Sequence, residues 1–181
     1  KMVNAAGEQF TITYMTTSGN KAREQVQAVI SSGWEENLKI NVDMKNEQAT
    51  SFFTATLRER KFSGPSGAMY AWVMGPTSNL YSIVNSAQIP TEKNTWSGQN
   101  YTAYSNEEVD RLTSAVLQML DKQEIYNNLR IVQEHLTRDL PSLPLFYRVD
   151  ISSRHKNIAN FQPTGTSSPI TWNTPWWYWK K

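Results

Sequence analysis

Residues 10–44 read FTITYMTTSGNKAREQVQAVISSGWEENLKINVDM, and this stretch decides the fold. Apolar and polar residues alternate from Phe10 to Tyr14, which predicts a half-buried strand. Asn20 is then in position to cap a helix whose apolar residues recur at helical spacing as far as Trp34. A second alternating segment ends the stretch, so the predicted order is strand, helix, strand.

The following segment continues this alternation of helix and strand. Residues 49–57 carry helically spaced apolar side chains, and Gly64, Pro65 and Gly67 predict a loop after them. Residues 68–74 are apolar at nearly every position, as expected of a strand that is buried on both faces. Alternating strands and helices pack as βαβ units with right-handed crossovers. We therefore predict the α/β class, with a mixed, mostly parallel sheet that is flanked by helices.

The second half of the chain reads differently. Residues 75–106 are rich in Ser, Asn, Thr, Gly and Pro without a clear period, which is typical of a long functional loop or a disordered one. Two helices follow, with reciprocal capping signals at Ser105 with Glu108 and at Asp121 with Glu124. Each signal places a carboxylate at the positive end of its helix.

Proline ends the second of these helices at Pro141 and Pro144, and residues 145–153 are predicted to form a further strand. From residue 156 onward the chain is predicted to be irregular. It contains the aromatic cluster Trp176, Trp177, Tyr178 and Trp179. A cluster of this kind needs a surface to cover it.

Composition excludes several classes of protein. The chain has 181 residues, of which 39% are hydrophobic and 19% charged, and this is ordinary for a globular domain. Its 18 basic and 16 acidic side chains give a net charge of +2 and no basic stripe, so nucleic acid is not an expected partner. The absence of cysteine excludes disulfide scaffolds and thiolate sites. No run reaches the ~20 apolar residues that a membrane span needs.

The side chains that could carry chemistry do not form a catalytic pattern. His135 and His155 lack the spacing of a zinc helix, and Ser66 lacks the context of a nucleophile elbow. The acidic residues at 107–110 lie in the first turn of a predicted helix, where capping explains them better than an acid and base pair. We therefore predict no catalytic residue, no metal site and no cofactor.

Aromatic residues give the positive signal. Tyr70 and Trp72 share one face of a predicted strand that ends at Gly75, and ligands of open α/β sheets sit beyond the carboxyl ends of strands. The candidate ligand-binding residues are Tyr70, Trp72, Met74, Gly75 and Tyr147. The alternative, that these aromatics belong to the core, stays open.

Five segments carry a resemblance to a known family. They are residues 10–44, ATSFFTATLRERKF at 49–62, MYAWVMGPTSNLYS at 69–82, NYTAYSNEEVDRLTSAV at 100–116 and IVQEHLTRDLPSLPLFYRVD at 131–150. In this order they resemble the second large lobe of the family 5 extracellular solute-binding proteins, which are the dipeptide and oligopeptide carriers of ABC importers. The likeness extends over nearly the whole chain.

The resemblance implies the C-terminal lobe of a periplasmic-binding-protein-like (type II) fold in a two-lobed parent. Residues 1–148 would form the ligand-binding lobe, and residues 149–181 would cross back to the N-terminal lobe. The implied partners are a peptide or peptide-like ligand, that N-terminal lobe and the membrane subunits of an ABC importer. The implied location is the periplasm or the outer face of the cytoplasmic membrane. Because no signal sequence is present, we expect one upstream in the parent.

One position departs from the family pattern. In peptide carriers of this family an aspartate that holds the ligand's α-amino group typically follows the strand tryptophan by three residues. Trp72 matches that tryptophan, but Gly75 occupies the place of the aspartate. Either another acid such as Asp150 takes over, or the ligand lacks a free amino terminus.

The sequence leaves two functions of other classes open. A hydrolase of peptides or sugars would use two of the many carboxylates as acid and base. A carbohydrate-binding module is suggested by the tryptophan content, and it would need exposed coplanar aromatic rings.

Overall fold

The computed structural model describes residues 2–3, 5–73, 75 and 79–180. Contacts divide the chain into two compact units, which are described separately. The first unit comprises residues 1–71 and 82–106, and the second unit comprises residues 72–81 and 107–181. The domain boundary predicted at residue 148 stays a prediction.

The first unit is built on a parallel sheet. Its elements are β1 (Thr11–Thr17), α1 (Lys21–Leu38), β2 (Asn41–Glu47), α2 (Ala49–Ser51) and β3 (Ser66–Ala68). The strand order is β2-β1-β3, and β1 pairs in parallel with both neighbours. The α/β class, with a parallel sheet and flanking helices, is therefore confirmed. The predicted strands near Phe10, Ile40 and Met69 do lie in one sheet.

Helix α1 forms where the sequence predicts it. The Asn20 side chain accepts a hydrogen bond from the Arg23 amide at 3.1 Å, which satisfies one of the unpaired donors of the first turn. The buried Gln27 side chain donates to the Tyr14 carbonyl at 2.7 Å, and the Trp34 ring lies 5.1 Å from the Tyr14 ring. These contacts pack α1 against β1.

The predicted helix over residues 49–57 is a short α-helix that continues as a π-helix over Phe52–Leu57. Because π-helical hydrogen bonds join residues five apart, Phe52 and Leu57 lie on the same side of the helix. Both side chains are fully buried, and they form the core cluster of the unit with Met15. Full burial of such side chains stabilises a fold by about 1.5–3 kcal/mol each.

The strand predicted over residues 68–74 is wrong in its extent. Strand β3 ends at Ala68, although the Met69 amide still donates to the Met15 carbonyl at 2.8 Å. The Thr16 hydroxyl donates to the Met69 carbonyl at 2.8 Å. This side-chain bond, rather than a bond from a strand amide, therefore satisfies the carbonyl that follows the end of β3. Trp72 and Val73 are exposed, so the apolar run is not a strand buried on both faces.

The second unit contains a helix pair, α4 (Glu107–Val116) and α5 (Lys122–Asp139), whose contact buries Val109 and Val132 completely. One half of the reciprocal cap predicted for α5 is confirmed, because the Asp121 carboxylate accepts from the Glu124 amide at 2.9 Å. A one-turn helix, α3 (Tyr81–Val84), lies where the chain passes from this unit to the first one. None of the helices in the described ranges is long and apolar enough to cross a membrane.

The strand predicted over residues 145–153 is absent, because these described residues have no regular secondary structure. A strand needs a neighbour for its backbone groups. Here Tyr147 and Ile151 are almost wholly exposed instead. The tail does contain a short antiparallel pair, β4 (Ile158–Ala159) and β5 (Tyr178–Trp179).

Candidate ligand-binding surface

In the first unit, the rings of Phe53, Tyr70 and Tyr101 contact one another in series just beyond the end of the sheet, and we call this series the aromatic chain. Tyr70 follows β3 by two residues, and its ring contacts those of Phe53 and Tyr101 edge to face. Each pair of ring centroids is 6.1 Å apart, with interplanar angles of 84° and 73°. The Phe53 ring in turn meets Phe52 of the core at 5.2 Å. Edge-to-face contact suits the ring quadrupoles and fixes the orientation of each ring.

Tyr70 lies in an environment that disfavours charge. Burial, with a smaller contribution from the neighbouring Tyr101, raises the pKa of Tyr70 to about 12. Burial also raises the pKa of Tyr101, while the positive charge of Arg58 lowers it. Both phenols are therefore neutral at physiological pH and offer apolar faces with polar hydroxyls.

The other predicted ligand-binding residues belong to the second unit. Trp72 is 38% exposed, and Gly75 is partly buried. Tyr147 is fully exposed on the segment without regular structure. Met74 lies outside the described residues. Of the predicted set, Tyr70 is thus the residue that the structure places in the aromatic chain.

Sequence reasoning missed Phe53 and Tyr101 as partners of Tyr70. Phe53 belongs to a helical apolar stripe in the sequence. The residues around it give no indication that its ring contacts Tyr70. Tyr101 lies in the loop at 75–106, and an aromatic residue in such a polar loop is a signal that could have been used. The loop is ordered by Asn100, which is fully buried and donates to the Asn85 and Tyr104 carbonyls at 3.1 and 2.8 Å.

An open groove of about 470 Å³ lies beside Tyr101 in the first unit. Its walls are Arg58, Ser82, Gln88, Trp96, Ser97, Gly98, Gln99 and Tyr101. This volume is within the usual range of small-molecule sites. The lining combines two aromatic rings, amides, hydroxyls and one cation.

Among the acidic and histidine side chains, Glu108 and His135 form a contact between two helices. Glu108 contacts His135 Nε2 at 3.0 Å, which joins the first turn of α4 to α5. Across the part of the chain that the structure describes, no three His, Cys, Asp or Glu side chains group as metal ligands. The contact between Glu108 and His135 thus ties the two helices of the pair together.

Two exposed tryptophan rings of the tail are not coplanar. The rings of Trp172 and Trp176 are both exposed, but their planes meet at 59°. The Trp179 ring stacks on His155, with centroids 4.7 Å apart. Trp176, Tyr178 and Trp179 are each about 60% exposed, so most of their surface is not covered within the described residues.

Comparison with known proteins identifies relatives of the chain. It is 24% identical over 160 residues to the oligopeptide-binding protein AppA of Bacillus subtilis (strain 168). The matched segment covers 86% of this chain and 27% of AppA. No family model matches the chain. The chain therefore spans about a quarter of the length of this curated relative.

Solved structures agree with the sequence match. The oligopeptide-binding protein of Thermus thermophilus, complexed with a pentapeptide, superposes with a TM-score of 0.69 and 26% identity over 84% of this chain and 26% of that one. AppA of B. subtilis in complex with a nonapeptide has the same fold, with a TM-score of 0.68 and 18% identity over 98% of this chain and 33% of that one. The resemblance inferred from the sequence is thus confirmed. The chain is homologous to AppA and shares the fold of the matching part of oligopeptide-binding proteins.

Proposed function

We propose that the chain is the C-terminal lobe of an exported solute-binding protein that captures a peptide or peptide-like ligand for an ABC importer and does no chemistry on it. The observation that carries the proposal is the parallel sheet with an aromatic chain beyond its end, in a chain homologous to AppA. Aromatic faces give contact area without demanding one particular side chain of the ligand.

In this proposal the ligand lies against Tyr70, Trp72, Met74, Gly75 and Tyr147, and the N-terminal lobe of the parent closes over it. Closure by hinge motion buries a ligand that one lobe alone leaves exposed. Tyr147 and Trp72 support this arrangement, because both are exposed aromatics with area to offer a ligand or a facing lobe. Residues 149–181 would return to that lobe, and their exposed tryptophans would pack on it.

The proposal is tested on the full-length parent, purified without refolding. Native mass spectrometry weighs any ligand that co-purifies, and calorimetry then measures the affinity of the identified peptide. We expect Trp72→Ala to weaken binding by about tenfold or more. Tyr126→Ala, which removes an aromatic that is 61% exposed on α5, serves as the matched control and should change affinity less than about twofold.

A hydrolase would give a different outcome in the same preparation. Labelled peptides and oligosaccharides are incubated with the parent, and the products are analysed for cleavage. The carrier proposal expects intact substrate after prolonged incubation. Turnover that follows the protein through purification would overturn it.

A further inference from the structure

The groove beside Tyr101 has a feature that the proposed carrier function does not use. The Arg58 guanidinium lies on its wall, and its Nε and Nη2 atoms donate to the Trp96 and Thr95 carbonyls at 3.2 and 3.3 Å. Both bonds use one edge of the planar group. In the described residues no acceptor takes the edge formed by Nη1 and the outer hydrogen of Nη2, and this edge matches the two oxygens of a carboxylate.

No described side chain neutralises the positive charge of Arg58. In the described ranges no carboxylate lies within 4.0 Å of its guanidinium, whereas the neighbouring Glu59 pairs with Lys61 at 2.6 Å. The groove lining also contains no acidic side chain. The two carbonyl partners carry only partial charge, so the groove presents a net positive charge to a ligand.

The wall that faces Arg58 is held in place by unusual backbone geometry. Thr95 and Trp96 are consecutive residues with positive φ, at 54° and 58°, and they turn their carbonyls toward the guanidinium. At Gly98 the backbone approaches Gln88 so closely that a Cβ atom would lie 2.2 Å from the Gln88 carbonyl oxygen. Non-glycine residues with positive φ, such as Thr95 and Trp96, cluster at ligand sites, because they fix a shape before the ligand arrives.

We propose that this groove binds a carboxylate-bearing ligand, with the carboxylate on the outer edge of Arg58 and the adjoining apolar part between Trp96 and Tyr101. The groove of about 470 Å³ accommodates a group the size of one or two amino acids. The site lies within the first unit, so it does not depend on the proposed closure of two lobes. A peptide carboxyl terminus and an acidic side chain offer the same chemistry.

The test is an NMR titration of the 181-residue chain, labelled with ¹⁵N, that follows the Arg58 Nε–H and Trp96 indole resonances. Three blocked amino acids separate the sources of the carboxylate: N-acetyl-leucine, its amide, and N-acetyl-glutamate α-amide. We expect N-acetyl-leucine to bind at least about tenfold more tightly than the amide, and this preference should weaken as salt is added. Binding of the glutamate derivative would extend the site to acidic side chains, and its absence would restrict the site to carboxyl termini.

Variants test whether Arg58 carries the preference. Arg58→Gln should abolish the difference between acid and amide. Arg60→Gln is the matched control, since Arg60 also donates through Nε to a loop carbonyl, that of Tyr101 at 3.3 Å, but does not line the groove. Gln99→Glu leaves the Arg58 anchors intact and places a carboxylate in the groove, so it should weaken binding of the acid alone. Equal binding of acid and amide, or unmoved Arg58 and Trp96 resonances, would overturn the proposal.

Discussion

Tyr70 and Tyr101 meet edge to face, with ring centroids 6.1 Å apart and planes inclined at 73°. This contact joins Tyr70, just beyond β3, to Tyr101 in the loop at residues 75–106. Tyr101 also lines the groove beside Arg58. One aromatic pair thus connects the sheet end, where the carrier proposal places its ligand, with the wall of the carboxylate groove.

The buried phenol of Tyr70 predicts a loss of stability at alkaline pH. Its pKa is raised from 10.0 to about 12, chiefly by burial, so the folded state favours the neutral form. The resulting stabilisation is complete below about pH 10 and is lost as the pH rises toward 12. We expect Tyr70→Phe to flatten this loss in denaturant unfolding measured from about pH 9 to 12. Tyr126→Phe, on an exposed ring, should leave the pH profile as in the wild type.

Local signals are sufficient to predict much of the first unit. Asn20 marks the start of α1 because the cap bond with Arg23 joins residues three apart. The alternation from Phe10 to Tyr14 and the order of elements predict the parallel sheet. The run at residues 68–74 misleads because apolar content alone does not supply a neighbouring strand, and the same reason applies to residues 145–153.

The site is predicted less well, since its contacts are distant in sequence. The sequence singles out Tyr70 by its place near a strand end, and its role in binding stays a prediction. Arg58 donates to the Thr95 and Trp96 carbonyls, which are 37 and 38 residues away in the sequence. The residues next to Arg58 in the sequence do not indicate these contacts. The positive φ of Thr95 and Trp96 is equally hidden, because neither residue type favours the left-handed region.

Two glycines should respond in opposite directions to alanine. At Gly98, φ is 107° and the new Cβ would collide with the Gln88 carbonyl, which also accepts a bond from the Asn100 amide. Gly98→Ala should therefore destabilise the fold by about 1–3 kcal/mol. At Gly33, inside α1, the Cβ meets open space, and Gly33→Ala should stabilise by about 0.5–1 kcal/mol. Chemical denaturation measures the free energy of unfolding of both variants. A change of the same sign in both would contradict the described loop geometry.

The carboxylate of Glu47 should titrate at lower pH than usual. The Thr56 hydroxyl donates to it at 2.6 Å and lowers its pKa, partly offset by burial and reinforced by Lys45 at 3.1 Å. Because the folded pKa lies below the ordinary 4.5, the stabilisation is present above that pH and is lost as the pH falls through the folded pKa.

Thr56→Val removes this hydrogen bond and keeps the shape of the side chain. The pKa of Glu47, followed by NMR of its side-chain carboxyl carbon, should rise toward the ordinary value. Thr54→Val is the control, since the Thr54 hydroxyl donates to the Thr50 carbonyl and not to Glu47. A Glu47 titration that is the same in wild type and Thr56→Val would show that the bond does not set the pKa.

Under the carrier proposal, Gly75 offers the sharpest test of which ligand the full-length protein would bind. A carboxylate that faces a ligand ammonium forms a charge-assisted bond, and removal of one partner from such a pair costs about 2–5 kcal/mol, or roughly 30-fold to several-thousand-fold in affinity. Glycine supplies no carboxylate, but it lets the backbone approach a ligand and offers its amide as a donor. We therefore expect a ligand without a free amino terminus.

The measurement compares one peptide, with a free and with an acetylated amino terminus, for binding to the full-length parent. Wild type should discriminate between the two by less than about tenfold, and Gly75→Asp should create a preference for the free amine. Val73→Asp adds the same charge two residues away on an exposed side chain, and it should leave the discrimination unchanged. A wild-type preference of about tenfold or more for the free amine would mean that another acid, such as Asp150, holds the ammonium. In that case the missing carboxylate at residue 75 has no bearing on ligand choice.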